Sequence, residues 1–201
     1  MFEFMLSGGN AKKSTAGPDT DILAYGDSQL GYYGEVDYKN IIAGDQLASQ
    51  VGVPSNKILN PTPNWLKYAY QGKILYIAML PIANGISWTT LYNLGLIKDT
   101  LKQLTIGDRK FNIRVMDETE WSALFARVHT SNTIQPIWAN YNDKALGVGP
   151  APGHGTWLQN SVSGNSQAVF RGYSSIGDRA VTPTSETSSI LGWRPVLELI
   201  N

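Results

Sequence analysis

The sequence predicts an α+β fold made of short strands, a few short helices and long loops. Three observations predict it. Apolar residues alternate or run together over short stretches that turn residues bound. Helical periodicity occurs only in brief segments. Gly, Pro and Ser crowd the rest, with no internal repeat and no heptad run.

Residues 1–20 read as an arm. Ser7-Gly8-Gly9-Asn10 and Thr15-Ala16-Gly17-Pro18-Asp19 are linker chemistry. Phe2, Phe4, Met5 and Leu6 have little local sequence to pack on. They are expected to dock either on the domain or on another subunit. Residues 21–201 form the domain.

Ile22–Gly26 and Tyr32–Val36 read as two strands around Asp27-Ser28-Gln29. A helix is expected over Ile41–Val51, with Leu47, Ala48 and Val51 on one face. Pro54, Pro61 and Pro63 mark a loop. Trp65–Tyr70 and Ile74–Ala78, joined through Gln71-Gly72-Lys73, read as a hairpin. Its second strand is apolar throughout, as in strands buried on both faces. Ser87–Gly95 has a helix's start and stop signals. Thr105–Val115 is a second hairpin, with Phe111, Ile113 and Val115 on one face.

The strongest helix signal runs from Asp117 to His129. Asp117 and Glu120 have capping-box spacing. Trp121, Leu124, Phe125 and Val128 form one stripe. Further strands are expected at Thr156–Val162, Ala168–Tyr173 and Trp193–Ile200. Pro195 belongs at an edge or at the start of a strand.

Composition narrows the function. Charged residues make up 16% of the chain and apolar residues 42%. Soluble domains carry about 25% charged residues, so this surface is unusually neutral. It suits a protein packed among partners or an adhesive module. The formal net charge is zero. Nucleic-acid binding, which rests on cationic contacts to phosphate, is not expected. Cys is absent, which excludes disulfides, thiolate zinc sites and a Cys nucleophile. The apolar run Met1–Leu6 lacks a basic flank and a long core, so no signal peptide is expected. No apolar run approaches the roughly 18 residues of a membrane span.

The C-terminal third carries a resemblance. Trp157-Leu158-Gln159, then Val169-Phe170-Arg171-Gly172, then Leu191-Gly192-Trp193-Arg194-Pro195-Val196-Leu197-Glu198-Leu199 resembles the closing part of the C-type lectin-like fold in its sulfatase-modifying-factor variant. Tailed-bacteriophage tail-fibre and virion proteins use versions ending in GWRPVLEL. The stretch Trp65–Tyr70 with Gly72-Lys73 and Leu75-Tyr76, the Ile86-Ser87-Trp88 step and the Glu120-Trp121 helix are similar to those proteins too. The likeness spans roughly residues 22–200. It is most specific in the last strand.

The resemblance implies a C-type lectin-like fold and a structural virion protein: a head-decoration, fibre, tail or baseplate component. Its implied partners are other virion proteins and further copies of itself. Its implied location is the virion, assembled in the host cytoplasm. The alternative it implies is a receptor- or carbohydrate-binding module on a phage fibre, with a host-surface glycan or receptor as partner. Formylglycine-generating oxidase chemistry on this fold needs cysteines, which are lacking. No cofactor is implied.

Single residues point the same way. Trp193, Trp121 and Trp65 sit in strand or helix patterns and are assigned to the core with Arg171 and Arg194. Arg194 reads either as a buried, hydrogen-bonded strut or as a surface residue. Trp138, Tyr141 and Tyr173 lie in loop-rich sequence and are the candidate exposed binding surface. His129 and His154 are the only histidines. No metal site is assigned to them, and no Gly-x-Ser-x-Gly elbow or phosphate loop accompanies them. Catalytic residues are therefore not expected, although a Ser-His-Asp arrangement is spatial and leaves no fixed trace in sequence. Asn140, Asn142 and Asp143 have calcium-type oxygens but not calcium-loop spacing, and read as turns. Asp27-Ser28 reads as a hairpin turn.

Overall fold

The computed structural model describes residues 21–97, 101–131, 136–162 and 164–200. The arm expected over residues 1–20, with Phe2, Phe4, Met5 and Leu6, lies outside them. In chain order the elements begin β1 (Tyr25–Gly26), β2 (Leu30–Val36), α1 (Gly44–Val51), β3 (Trp65–Tyr70), β4 (Lys73–Ala78) and β5 (Ala83–Asn84). Next come α2 (Trp88–Asn93), β6 (Lys102–Ile106), β7 (Arg109–Val115), α3 (Glu118–Ala123) and α4 (Asp143–Leu146). The chain closes with β8 (Gly155–Val162), β9 (Gln167–Arg171), β10 (Arg179–Pro183), β11 (Leu191–Trp193) and β12 (Pro195–Ile200).

The fold is mixed α+β, with short helices on mostly antiparallel sheets. One sheet has seven strands in the order β1-β2-β3-β4-β12-β7-β6, all antiparallel. The other has five in the order β10-β9-β8-β11-β5, with only the β8–β11 pair parallel. The β3–β4 hairpin forms where its apolar runs and turn chemistry predict. Its two central turn residues, Gln71 (φ 51°) and Gly72 (φ 76°), are both left-handed, a geometry that matches strand twist.

The large sheet is covered on both faces. On one face Trp65, Tyr76, Ile113 and Leu197 pack against Leu47 and Val51 of α1, Leu91 of α2, and Trp157 and Trp193 of the small sheet. On the other, Leu66, Tyr68, Ile77 and Val196 pack against Trp121 of α3 and against Phe125, Val128, Leu146 and Leu158. This explains the continuous apolar character of β4, whose neighbours are β3 and β12.

Two elements differ from expectation. The helix expected over 117–129 starts with a complete capping box on Asp117 and Glu120, but α3 ends at Ala123. A 3-10 turn follows over Phe125–Val128. There the carbonyls of Arg127 and Val128 accept hydrogen bonds from the backbone N–H groups of Trp138 and Tyr141, at 2.8 and 2.9 Å. The returning segment thus satisfies two carbonyls that the end of the expected helix would have left without partners. The strand expected over 193–200 is two strands. Trp193 ends β11 in the small sheet, and Pro195 opens β12 in the middle of the large one. Proline without an N–H fits that first position. Arg194 is the single residue between the two sheets.

Candidate functional site

The Gly192-Trp193-Arg194 step is built around a buried cation. Arg194 is fully buried. Its Nε donates to Thr156 Oγ1 at 3.2 Å, and its Nη1 to the carbonyls of Ala78 (3.0 Å) and Met79. Its Nη2 donates to the carbonyls of Leu146 (2.6 Å) and Gly147 (3.1 Å). The guanidinium lies 4.4 Å from the centre of the Phe125 ring. No carboxylate pairs with it among the described residues. A buried charge is tolerable only when its donors are satisfied, and here five oxygens satisfy them. Burial pulls its pKa down to about 9, so it remains a cation at neutral pH. The residue is a strut tying β4, α4 and β8 to the crossover.

The tryptophans assigned to the core lie there. Trp65 and Trp193 are fully buried and Trp121 nearly so. Indole N–H groups donate to backbone carbonyls, Trp65 to Ile42 at 3.1 Å and Trp121 to Ile176 at 2.9 Å. Trp193 Nε1 is buried without a hydrogen-bond partner. Arg171 departs from the core assignment. Its side chain lies at the rim, partly exposed, with Nη2 donating to Glu118 at 3.3 Å beside Arg179, which bonds the same carboxylate at 2.6 Å. Chiefly through Arg179, this pairing holds the Glu118 carboxyl below its ordinary pKa.

An ionic cluster that the sequence did not single out lies on the large sheet. Arg114 donates to both oxygens of Glu120, at 2.6 and 2.7 Å, and through Nε to Glu198 at 3.0 Å. Lys73 reaches Glu198 at 2.8 Å. Burial pushes the Glu198 carboxyl up, but Lys73 and Arg114 outweigh it and hold its pKa low. The signal was there to read. Glu198 is the one charge in the apolar run of β12, and its pairing with Asn112 of β7 puts it on the same face as Arg114.

Trp138, Tyr141 and Tyr173, expected as an exposed binding surface, are buried or half-buried. Trp138 is buried, 6% exposed. It stacks parallel to Tyr32 at 6.4 Å and lies under the Arg127 guanidinium at 4.7 Å. Its loop folds back onto β2 and β3, whose tyrosines are remote in sequence. Tyr141 is half-buried and donates its hydroxyl to Glu35 at 2.8 Å. Tyr173 is half-buried against Phe170, in the other core cluster. The three residues form no common face.

The histidines fall apart spatially and chemically. His129 is buried. Its Nδ1 accepts from the backbone N–H of Ser131 at 3.1 Å and meets the Ser131 hydroxyl at 2.7 Å. The backbone donor makes Nδ1 the acceptor, so Nε2 carries the proton and donates to Asp143 at 2.6 Å. This Ser-His-Asp line is a clamp. The histidine closes its own i to i+2 turn and ties it to the first residue of α4. Burial first, and then the Arg194 charge, pull the His154 pKa below its ordinary value. Asn142 caps α4 by accepting from Ala145 N–H at 3.0 Å. Asp27 accepts from the N–H groups of Gln29 and Leu30 at 2.7 and 3.0 Å, as a turn residue does. Among the described residues no three His, Asp or Glu side chains gather as metal ligands. No helix among them is long and apolar enough to cross a membrane.

Two cavities adjoin at the start of α3. One, of about 210 Å3, lies between Trp88 and Tyr92 of α2 and the Gln159–Ser161 part of β8. The other, of about 270 Å3, lies over the Arg114 cluster. Both are lined by Asp117, Thr119 and Gln159. Sequence reasoning missed them because α2, α3 and β8 contribute from segments far apart in the chain. No protein-family model, curated protein or solved structure matches the chain.

Proposed function

We propose that the chain is a non-enzymatic structural protein of a tailed-phage virion, with a C-type lectin-like fold, acting through protein–protein contacts. The observation that carries this reading is the use made of the closing Gly-Trp-Arg-Pro-Val-Leu-Glu-Leu segment. In it Trp193 and Arg194 lock the crossover between the two sheets, and Glu198 joins the internal ion cluster. The segment that resembles virion proteins thus serves as scaffold, and its charged side chains, Arg194 and Glu198, are engaged inside the domain rather than presented to a substrate.

Two further features support it. The buried ion pairs and the low charged fraction leave a neutral outer face, suited to packing among subunits. The Ser131–His129–Asp143 line is explained by turn closure.

Antibody labelling of intact virions tests the reading. An antiserum to the purified chain is expected to decorate one part of the particle, either head or tail. Labelling of lysate proteins alone, with bare particles, would overturn it.

A further inference from the structure

The cavity of about 210 Å3 carries an inference independent of the virion reading. One wall is aromatic. Trp88 is fixed by its indole N–H to the Leu158 carbonyl at 2.9 Å, and Tyr92 lies parallel to it at 5.5 Å and 15°. Tyr92 is the half-buried member. The facing wall is polar, and each polar side chain there is already half engaged. Asn160 Oδ1 accepts from Glu118 N–H at 2.9 Å, which fixes its amide orientation. Asn165 Oδ1 accepts from the Ser161 hydroxyl. The two amide N–H2 groups make no hydrogen bond within the described residues. Gln159 is oriented the opposite way. Its Nε2 donates to the Val115 carbonyl at 2.7 Å, and its Oε1 is buried with no partner. Asp117 gives one oxygen to Glu120 N–H at 2.7 Å and keeps the other.

The cavity therefore offers uncommitted donors and uncommitted acceptors together, beside an apolar ring face. An anion would leave the free Asp117 oxygen facing negative charge. An ammonium ion would match Asp117 but offers nothing to the two asparagine donors. A hydroxyl gives one proton and accepts two, so it matches both kinds of partner. The space equals about seven water volumes of about 30 Å3 each. That suits a single sugar ring.

We propose that this cavity binds one neutral sugar residue of a glycan, with Tyr92 against the ring face and Asn160, Asn165 and Asp117 on its hydroxyls. The test is an NMR titration of the full chain, 15N-labelled, with D-glucose, D-galactose and N-acetyl-D-glucosamine up to tens of millimolar. D-glucuronate and choline serve as the charged comparisons. The expected result is a saturable shift of the Trp88 indole and of the Asn160 and Asn165 amide signals with at least one neutral sugar. Asn160→Asp keeps the oxygen for Glu118 but removes the donors, and it should weaken that binding about tenfold. Tyr92→Ala removes the ring wall and should weaken it comparably, which decides the matter if Asn160→Asp fails to fold. The proposal is overturned if no neutral sugar gives a saturable shift at these signals. It is equally overturned if choline or glucuronate binds more tightly than every neutral sugar, or if the folded variants bind as the parent does.

Discussion

Arg194 is the residue on which two sheets, α4 and the Phe125 turn converge. Lysine at this position would carry the charge but not the planar fork, so several of the five acceptors would be left unpaired in the interior. Each unsatisfied buried group costs about 1–3 kcal/mol. Arg194→Lys is therefore expected to destabilise the domain by at least about 3 kcal/mol in chemical denaturation. Trp193→Ala, which empties the neighbouring core site, is expected to cost about 3–5 kcal/mol. A loss within about 0.5 kcal/mol, typical of surface sites, would contradict the buried role of either. The carboxylates give a pH dependence of definite sign. Glu118 and Glu198 have folded pKa values below their ordinary ones. Their contribution is complete above the unfolded glutamate pKa of about 4.3 and is lost as pH falls through the lower folded values. Thermal melts should be insensitive to these groups between neutrality and about pH 5, and should fall steeply below about pH 4. A parallel loss in Glu198→Gln, with the acid slope unchanged, would contradict the assignment.

At the scale of elements, the seating of β11 is the tightest constraint. A Cβ on Gly192 would lie 2.0 Å from the Gly153 carbonyl oxygen, and backbone cannot swing aside as a side chain does. Gly192→Ala should cost about 3 kcal/mol or more, the upper end of overpacking effects. Gly107 makes the comparison. It turns β6 into β7 at φ 63° with nothing within 4 Å of a added Cβ, so Gly107→Ala should cost only the left-handed backbone term, about 1–2 kcal/mol. Equal effects in the two variants, measured by thermal melts, would deny the close approach at β11. What the sequence made legible follows the same logic. The β3–β4 hairpin and the α3 capping box rest on neighbours a few residues apart, and their local chemistry decides them. β5 is two residues long, and β10 reads Arg-Ala-Val-Thr-Pro with a single large apolar residue, so neither stands out by hydrophobic pattern. The break at Arg194 was hidden because its acceptors lie 38 to 116 residues away in the chain. Trp138 was misplaced for the same reason, its ring partners being Tyr32 and Tyr68. The sugar-sized cavity has no sequence signature at all, since α2, α3 and β8 meet there only in three dimensions.

For the whole molecule, we propose a division of labour between a domain that serves as scaffold and an arm that makes contacts. Phe2, Phe4, Met5 and Leu6 are each worth about 1.5–3 kcal/mol when buried, enough together to hold a subunit after ordering costs. A chain lacking residues 1–20 should keep its melting temperature as a monomer while losing oligomerisation or incorporation into particles. Retention of both would mean that the arm is not the anchor. The central claim, a structural place in the virion, is tested most directly by quantitative mass spectrometry of purified, salt-washed particles. The account predicts peptides of this chain in a fixed ratio to a major head or tail protein, unchanged by washing. Their absence from particles, or a ratio that falls with each wash, would contradict it.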